Sequence, residues 1–474
     1  MSKTKKILQQ LRDFESRNIL FLESDGSWPI VWDRARDVHV WDASGKKYLD
    51  LTAAFGVAAA GHANRRVVKA AQRQLARLPH AMGDVHPHAR KAELARALSR
   101  LAFERWEQIR RDELPESRKQ AARIKSGTRV TRPSGKVIFS NSGFEAVESA
   151  LKTAMLATGK QGVIAFSGAY HGLGYGALNV THRDFFRGPF HYQLREFGHF
   201  VPFPASTEGR VARVPKNTDV RDSDNSSLRK VEARIRNLFR HESIGAILAE
   251  PVQARGGINV PPPEFLPRLR KLCDEHGALL ILDEIYTGFG RTGTWFACEH
   301  SGVVPDLICL GKALTGGFPL SACVGRADLM DAAWPKSRGE AIHTSTFLGN
   351  PVGCAMALAQ IEEIRRRNLC QRSAELGEFL LDALGSLRLR HSALRISVRG
   401  LGLMAGVELQ LPDGKPASEA AMRVIKKMLR RGFILLPEGE HANVISFTPP
   451  LTITRAQLTK TVGVLAEVLN TDKH

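Results

Sequence analysis

The chain has 474 residues, of which 43% are hydrophobic and 24% are charged, which is ordinary for a soluble globular protein. That length predicts two or three domains. The sequence has no apolar run of about eighteen residues and no apolar core of a secretory signal, so we expect no membrane span and no secretion.

Net charge is +20, from 68 basic and 48 acidic residues, which raises the question of a nucleic acid or anionic membrane partner. The basic residues are spread along the chain and mostly interleaved with acids. The densest basic stretch, Arg110–Lys136, has few aromatic residues that could stack on bases. We therefore expect a solvated surface and no nucleic acid or membrane partner.

The six cysteines show neither CxxC nor other metal-ligand spacing, so we expect no metal site. Several lie in apolar, strand-like segments, as buried free thiols do. This pattern predicts a reducing compartment, the cytoplasm.

Helix and strand patterns can be followed from the N-terminus. Residues Val31–Leu51 predict short strands around the turn Asp42–Gly45. Apolar residues at helical spacing predict helices over Asn64–Leu78 and His88–Leu101. The polar, basic stretch Glu104–Pro133 contains proline and is predicted to be a surface insertion.

Regular alternation of strand and helix follows. The predicted elements are the strands Lys136–Phe139, Gly162–Phe166, Gly245–Ala249 and Ala278–Leu282 and the helices Glu145–Ala157 and Phe265–His276. The polar stretch Pro202–Ser227 predicts a second loop or insertion. From Pro351 onward a long helix, a hairpin around Gly400–Leu409 and further helices predict a separate C-terminal domain.

Two residues with complementary chemistry follow buried strands. Asp283 follows the apolar run Ala278–Leu282, and Lys312 follows Leu307–Leu310, twenty-nine positions later (312 − 283 = 29). Open α/β sheets bind ligands at the carboxyl ends of their strands. A lysine can form a Schiff base with pyridoxal phosphate, and a carboxylate can keep its ring nitrogen protonated. Either residue alone also fits a helix cap or an ordinary turn, but the pair with the glycine-rich segment 288–293 between them predicts a pyridoxal phosphate site.

These residues resemble the signature of the class III (ω-amino acid) aminotransferases, which are fold-type I pyridoxal phosphate enzymes. The resemblance extends from about Trp41 to about Pro450. It implies an α/β fold with two parts: a large domain with a mostly parallel seven-stranded sheet flanked by helices, and a smaller α+β domain from both ends of the chain. We expect residues 1–60 and 346–474 to form the small domain and 61–345 the large cofactor domain, with insertions near 104–133 and 202–227.

A predicted helix start follows the strand at Lys136–Phe139. Ser142 and Glu145 have capping-box spacing, and Gly143 allows an anion to approach the backbone. An ordinary capped helix would look the same. The resemblance implies that the backbone after Ser142 and Gly143 binds the cofactor phosphate. Relatives usually have a small residue at Phe144, so we expect a narrower entrance here.

Further cofactor contacts come from three strand ends. The resemblance implies that Tyr170 stacks on the pyridine ring and that Glu250, in the EPxQ element, supports the geometry around Asp283. Ile285 is predicted to pack on the other ring face, two residues after the aspartate. We expect His171 to be a structural hydrogen-bonding residue rather than a base.

Two residues imply further contacts. Thr346 matches the threonine that reaches the partner's cofactor phosphate in the family, which implies a homodimer. Tyr286 stands where many relatives have a glutamine that touches the phenolic oxygen of the cofactor, so its hydroxyl could replace that contact.

The substrate residues depart from the family pattern. Arg399 matches the arginine that binds the carboxylate of the oxo acid. Arg255 stands where ornithine- and aminobutyrate-type relatives have a glutamate that pairs with this arginine, so two arginines would repel unless an anion or Glu lies between them. Leu173 replaces the arginine that holds a distal carboxylate in ornithine-type enzymes. Donors with a distal carboxylate should therefore be poor unless Arg255 binds that group.

The leading functional hypothesis is ping-pong transamination from an ω-amine or amino acid to 2-oxoglutarate or pyruvate, through a Lys312 Schiff base. Retention of Arg399 and Thr346 favours it over a pyridoxal phosphate aminomutase or racemase of the same fold. A catalytically silent basic binding protein is the remote alternative, and the intact Asp283 and Lys312 argue against it.

Overall fold

The structure is a computed structural model, and it describes residues 2–21, 23, 28–112, 134–204, 221–389 and 394–471. Within these ranges no helix is long and apolar enough to cross a membrane.

The N-terminal part contains a small sheet and several helices. Its elements are α1 (Lys3–Phe14), β1 (Trp32–Arg36), β2 (His39–Asp42), β3 (Lys47–Asp50), α2 (Arg65–Arg77), α3 (Ala89–Ser99) and α4 (Arg105–Asp112). The predicted strands around the turn at Asp42–Gly45 are confirmed, as are the two predicted helices that follow. Asp42 Oδ1 accepts hydrogen bonds from the backbone N–H groups of Ser44 and Lys46, which explains the tight turn.

The central part alternates strands and helices. Its elements are β4 (Gly135–Ser140), α5 (Gly143–Thr158), β5 (Gly162–Phe166), α6 (Tyr175–Asn179), α7 (Asp184–Arg187), β6 (Gly198–Val201), α8 (Arg221–His241), β7 (Ile244–Ala249), α9 (Phe265–His276), β8 (Leu279–Asp283), β9 (Leu307–Leu310), β10 (Ser321–Arg326) and α10 (Ala327–Ala333). Helix α9 has the predicted bounds, and it ends at Gly277, which has the left-handed conformation that favours glycine.

The seven strands β4 to β10 form one sheet in the order β4-β10-β9-β8-β7-β5-β6. Only β10 runs antiparallel to its neighbours, so the sheet is mostly parallel, as expected. All residues of β5, β7 and β9 are buried, because helices cover both faces of such a sheet. The carboxyl ends of β5, β7, β8 and β9 therefore lie side by side.

The C-terminal part combines helices with antiparallel strands. Its elements are α11 (Pro351–Arg366), α12 (Leu369–Gly385), β11 (Arg395–Gly400), β12 (Ala405–Gln410), α13 (Ser418–Arg430), β13 (Phe433–Ile434), β14 (Leu436–Glu438), β15 (Val444–Phe447) and α14 (Arg455–Thr471). Strand β13 pairs with β3, and β11-β12-β15-β14 form a separate sheet, so the hairpin predicted around Gly400–Leu409 is confirmed.

The first residues of the insertion predicted over Glu104–Pro133 are helical, and the insertion itself stays a prediction. Residues 104–112 continue the chain from α3 through one π-helical turn into α4. Trp106 is buried there, with its ring 5.3 Å from that of Phe103 and 5.7 Å from that of Phe296. Trp106 was missed in the sequence because the residues around it are charged. Residues 113–133 lie outside the described residues.

The last seven residues of the second predicted loop or insertion, Pro202–Ser227, form the start of a helix, α8. Their polar sequence gave no helix signal. Residues 205–220 lie outside the described residues.

One turn of the C-terminal part makes a close backbone contact with the glycine-rich segment 288–293. Gly402 has φ of 58°, and a Cβ there would lie 2.4 Å from the carbonyl carbon of Thr292. Gly414 has φ of 86° but an open Cβ position. We expect Gly402→Ala to lower the midpoint of thermal unfolding by at least about 2 °C more than Gly414→Ala. Both variants strain the backbone, by about 1–2 kcal/mol, but only the first displaces a neighbouring segment. Equal shifts would show that the contact contributes nothing.

Candidate active site

A cavity of about 420 Å³ opens at the carboxyl ends of the central strands. That volume is in the range of small-molecule sites. It collects most of the residues expected to bind a ligand. Its lining residues are Gly143, Phe144, Tyr170, His171, Gly172, Leu173, Glu250, Ala254, Arg255, Asp283, Ile285, Tyr286, Thr287 and Lys312.

Asp283 is the last residue of β8, and its buried carboxylate faces this cavity. One carboxylate oxygen, Oδ2, lies 2.8 Å from Nδ1 of His171, and the other accepts a hydrogen bond from the backbone N–H of Ile285 at 3.1 Å. His171 is thus a structural hydrogen-bonding residue, as predicted, and the group it contacts is the Asp283 carboxylate. Two fixed contacts hold the carboxylate in one orientation.

Glu250 lies beside this pair at the end of β7. Its two carboxylate oxygens accept hydrogen bonds from the backbone N–H groups of Tyr170 (3.1 Å) and Ala254 (3.2 Å). The pKa of Glu250 is raised to about 7, mainly by burial, while His171 opposes this shift and the nearby Asp283 charge contributes to it. Glu250 therefore supports the loops that carry the site, without a direct hydrogen bond to Asp283.

The neighbouring Glu284 points away from the cavity. Its carboxylate accepts hydrogen bonds from the Thr287 hydroxyl and from the backbone N–H groups of Ala297 (2.9 Å) and Cys298 (2.8 Å). The Asp-Glu pair is therefore divided between two roles, with the first acid in the cavity and the second in the loop that follows.

Lys312 follows β9 with φ of 39°, in the left-handed region that disfavours side chains. Such backbone strain is typical of functional positions. Its Nζ lies 4.2 Å from the ring centre of Tyr286. Burial lowers the pKa of Lys312, while the charges of Asp283 and Glu250 oppose the shift. The amine is thereby brought closer to the neutral form that accepts a proton.

Tyr286 supplies its ring rather than its hydroxyl to Lys312. The hydroxyl lies 3.2 Å from Oγ1 of Thr448, which in turn donates to the backbone carbonyl of Thr52. The expectation that the Tyr286 hydroxyl contacts the cofactor stays a prediction.

Helix α5 begins beside the cavity with the predicted capping box. Oε2 of Glu145 accepts hydrogen bonds from the backbone N–H (2.7 Å) and the hydroxyl (3.0 Å) of Ser142. A Cβ at Gly143 would lie 3.1 Å from the Ile285 side chain, so a larger residue would crowd the cavity wall. The start of α5, with the positive end of the helix dipole, therefore lies beside the cavity.

Phe144 and Leu173 form the apolar side of the opening. Both line the cavity, and they are 38% and 48% exposed. A Cβ at Gly172 would lie 2.3 Å from the Cβ of Phe144, so the loop packs tightly against the phenylalanine. The cavity is therefore bounded by apolar surface at two of the positions where the sequence departs from the family pattern.

Each of the two predicted substrate arginines has its own carboxylate. Nη1 of Arg255 lies 3.4 Å from Oε2 of Glu438, and its guanidinium lies 5.6 Å from the ring centre of Tyr170. Nη1 of Arg399 donates to Glu408 at 2.5 Å. An anion or Glu was expected between the two arginines, and the structure gives each arginine a separate glutamate partner.

Only one of these arginines reaches the cavity. Arg255 is among the lining residues, whereas Nε of Arg399 donates to the backbone carbonyls of Gly257 (2.9 Å) and Ile258 (3.2 Å). Arg399 is absent from the described residues that line the cavity. Strand β11 holds its guanidinium between Glu408 and the chain that follows Arg255.

Thr346 lies on the exposed surface, outside the cavity lining of the described chain. Its neighbour Phe347 is 57% exposed and Ile342 is 65% exposed. The segment that contains Thr346 therefore exposes two large apolar side chains in the described chain.

Two charged residues were not predicted from the sequence. Glu438 at the end of β14 pairs with Arg255, and its side chain is 2% exposed. Nη2 of Arg183 donates to the backbone carbonyl of Arg255 at 2.5 Å. Burial, followed by the nearby Arg255 charge, lowers the pKa of Arg183. Neither residue stands in a motif, so no local signal pointed to them.

The residues present fit pyridoxal phosphate. A lysine amine and a carboxylate face one cavity, and a capped helix start lies beside them. Nε2 of the buried His171 has no hydrogen-bond partner among the described residues, as expected if a polar ligand lies beside this ring.

Comparison with known proteins agrees with this fit. The family model described as aminotransferase class-III matches residues 22–469. The 5-aminovalerate aminotransferase DavT of Pseudomonas aeruginosa is 36% identical over 446 residues, which cover 93% of each chain. A leucine/methionine racemase of Thermococcus litoralis is 32% identical, over 91% of this chain and 88% of that protein.

A solved structure extends the likeness to the fold. An amine transaminase from an uncultivated Pseudomonas species, in its PLP-bound form, has a TM-score of 0.79 and 29% sequence identity. The match covers 96% of this chain and 98% of that chain. The chain thus belongs to the class III aminotransferases, pyridoxal phosphate-dependent enzymes of fold type I.

Proposed function

We propose that this enzyme transfers an amino group from an ω-amine or amino acid donor to an oxo acid, 2-oxoglutarate or pyruvate, in a ping-pong cycle. One observation carries the proposal: the amine of Lys312 and the carboxylate of Asp283 face the same cavity. Amino transfer with pyridoxal phosphate requires two groups from the protein, a lysine amine and a carboxylate held in a fixed position.

Pyridoxal phosphate, when bound, supplies a reactive carbonyl and an electron-accepting ring. We propose that Lys312 holds it covalently and that Asp283 pairs with its ring nitrogen. The remaining proposed contacts are Ser142, Gly143 and Phe144 toward the phosphate and Tyr170, Glu250, Ile285 and Tyr286 around the ring. Their position on the cavity wall or at the start of α5 supports this assignment.

Lys312 is the proposed acid and base of the reaction. Once a donor amine has displaced it, its Nζ would take the proton from the donor carbon that bears the nitrogen and would deliver it to the cofactor carbon rather than back to the donor. Burial lowers the pKa of this amine, which supports a base that works near neutral pH. Tyr286 limits where the amine can move, because its ring lies directly beside Nζ.

We also propose a cytoplasmic homodimer in which Thr346 reaches the partner's cofactor. The exposed Thr346 and the exposed apolar side chains around it support an interface there. The six cysteines are free thiols and five of them are buried, which supports a reducing compartment.

The similarity to a racemase supports a second candidate reaction on the same cavity. A racemase, like an aminomutase, uses the same lysine to move a proton but consumes no oxo acid. The two candidates therefore differ in what happens to an added acceptor.

The test mixes holoenzyme with single amines and amino acids and follows the cofactor absorbance. We expect a suitable donor to change the spectrum within one turnover, and added 2-oxoglutarate or pyruvate to restore it. Amino acid product should form in a one-to-one ratio with the carbonyl product of the donor. Steady turnover of an amino acid without consumption of an oxo acid would contradict transamination and support the racemase or aminomutase reaction.

A further inference from the structure

Positive charge exceeds negative charge at one end of the cavity. Two guanidinium groups, of Arg255 and Arg183, lie near the buried carboxylate of Glu438. Glu440 and Glu250 are also in electrostatic range of Arg183. Glu440 is exposed to solvent, which screens its charge, and burial raises the pKa of Glu250 to about 7, which reduces its negative charge. An excess of positive charge inside a partly buried pocket favours an anionic ligand.

The backbone of Arg255 is fixed while part of its guanidinium remains available. Its carbonyl accepts hydrogen bonds from Nη2 of Arg183 (2.5 Å) and from the backbone N–H of Gly439 (3.2 Å). Its side chain is 32% exposed and contacts Glu438 through Nη1. A guanidinium has five N–H donors in one plane, so one carboxylate contact leaves donors for a second.

Arg399 lacks this availability. Its guanidinium contacts Glu408 and two backbone carbonyls, and it does not line the cavity in the described part of the chain. Turning it toward the cavity would break three hydrogen bonds, two of them to carbonyls that need a donor.

We propose that Arg255 is the group that binds the substrate carboxylate in this enzyme, and that Glu438 positions it. The inference rests on the proposed transaminase function and names its substrate class, namely oxo acids and the amino acids that correspond to them. In this proposal the carboxylate is bound by Arg255, in the loop after β7, and not by Arg399 on strand β11. The guanidinium of Arg255 also lies over the ring of Tyr170.

We assign Glu438 to positioning Arg255, not to binding the substrate. Its side chain is 2% exposed, so it cannot follow a ligand, and it fixes one end of the Arg255 fork at 3.4 Å. Removal of this carboxylate takes the counter-charge of Glu438 away from Arg255 and Arg183, and Arg255 is then expected to turn toward solvent. In Glu438→Asp, whose side chain is shorter by one methylene, the remaining carboxylate should hold Arg255 in place in part.

The test compares acceptors that differ only by a carboxylate. Glyoxylate is paired with acetaldehyde, and succinic semialdehyde is paired with butanal, because either pair exchanges a carboxylate for a methyl group at a different distance from the carbonyl. For each variant the ratio of kcat/KM within a pair is measured, so that a general loss of activity cancels. Binding of unreactive succinate is measured separately by calorimetry.

We expect Arg255→Gln to lower the ratio in at least one pair by about ten- to a hundredfold, mainly through KM, and to weaken succinate binding equally. Arg255→Lys should give ratios between those of wild type and Arg255→Gln, because lysine keeps the charge but lacks the planar guanidinium. Glu438→Gln should lower the ratio, and Glu438→Asp should recover part of it. Arg399→Gln should leave both ratios within about twofold of wild type.

Several results would overturn the inference. One is an unchanged ratio and unchanged succinate binding in Arg255→Gln, and another is a collapse of the ratio in Arg399→Gln instead. A third is a preference for 1,4-diaminobutane over 4-aminobutyrate that Glu438→Gln abolishes, which would assign Glu438 to a distal ammonium group. If no acceptor reacts at all, the proposed function fails, and the calorimetry still decides whether Arg255 binds a carboxylate.

Discussion

Lys312→Ala is expected to fold and to lose turnover by at least about a thousandfold. The lysine is the only proposed acid and base in the cavity, and general acid–base catalysis alone contributes about 10²–10⁴-fold. The variant also loses the covalent hold on the cofactor. Stability should change little, because the Lys312 amine contacts a ring face rather than a buried polar partner. Single-turnover and steady-state rates measure the loss.

Lys160→Ala is the matched control. That lysine is also partly buried, but its Nζ donates to the backbone carbonyl of His276, outside the residues that line the cavity. We expect a rate within about twofold of wild type. A Lys312→Ala enzyme with more than a tenth of wild-type kcat would show that another base moves the proton.

Asp283→Asn is expected to keep the cofactor but to lose about 10²–10³-fold in kcat. The amide oxygen can still accept the hydrogen bond from the Ile285 backbone, so the loop should keep its shape. A neutral amide cannot stabilise a positive charge on the ring nitrogen, and the partner of His171 loses its charge as well. The rate of the donor half-reaction and the cofactor spectrum measure the effect.

Glu284→Gln separates this role from a general loss of negative charge. The residue is adjacent in sequence and fully buried, but its carboxylate faces the loop at Ala297 and Cys298. We expect this variant to lower the midpoint of thermal unfolding while the rate per folded site stays near wild type. If Glu284→Gln slows the chemistry as much as Asp283→Asn, the assignment of the ring-nitrogen contact to Asp283 is wrong.

Much of the fold could be predicted because parallel strands buried on both faces have apolar sequences. The runs at Gly162–Phe166 and Leu307–Leu310 coincide with strands β5 and β9. The helix Phe265–His276 was bounded correctly because Gly277 adopts the left-handed conformation that ends a helix. Trp106 was missed because a single apolar anchor among charged residues gives no periodic signal.

The site was predictable only where local spacing carries the chemistry. Asp283 and Lys312 could be placed together because both end strands of one parallel sheet. The partners that hold these groups come from distant parts of the chain. His171 lies 112 positions before Asp283, and Glu438 lies 183 positions after Arg255 (438 − 255 = 183). No pattern along the chain reports such pairs.

Arg399 shows the limit of a motif most clearly. Its place in the sequence suggested a substrate contact, but the direction of its side chain depends on neighbours. On strand β11 it lies opposite Gly406, within reach of Glu408 on β12 and of the carbonyls at Gly257 and Ile258. These acceptors hold the guanidinium outside the cavity, and only the folded chain reveals them.

The assignment of Lys312 as the cofactor lysine is tested most directly by reducing the purified holoenzyme with borohydride and mapping the modified peptide by mass spectrometry. Borohydride fixes the carbon–nitrogen link between a lysine and pyridoxal phosphate. We predict a yellow protein that loses its visible absorbance on reduction and carries the cofactor on the peptide that contains Lys312. A protein that remains colourless with added pyridoxal phosphate, or a label on a different lysine, would contradict the central claim.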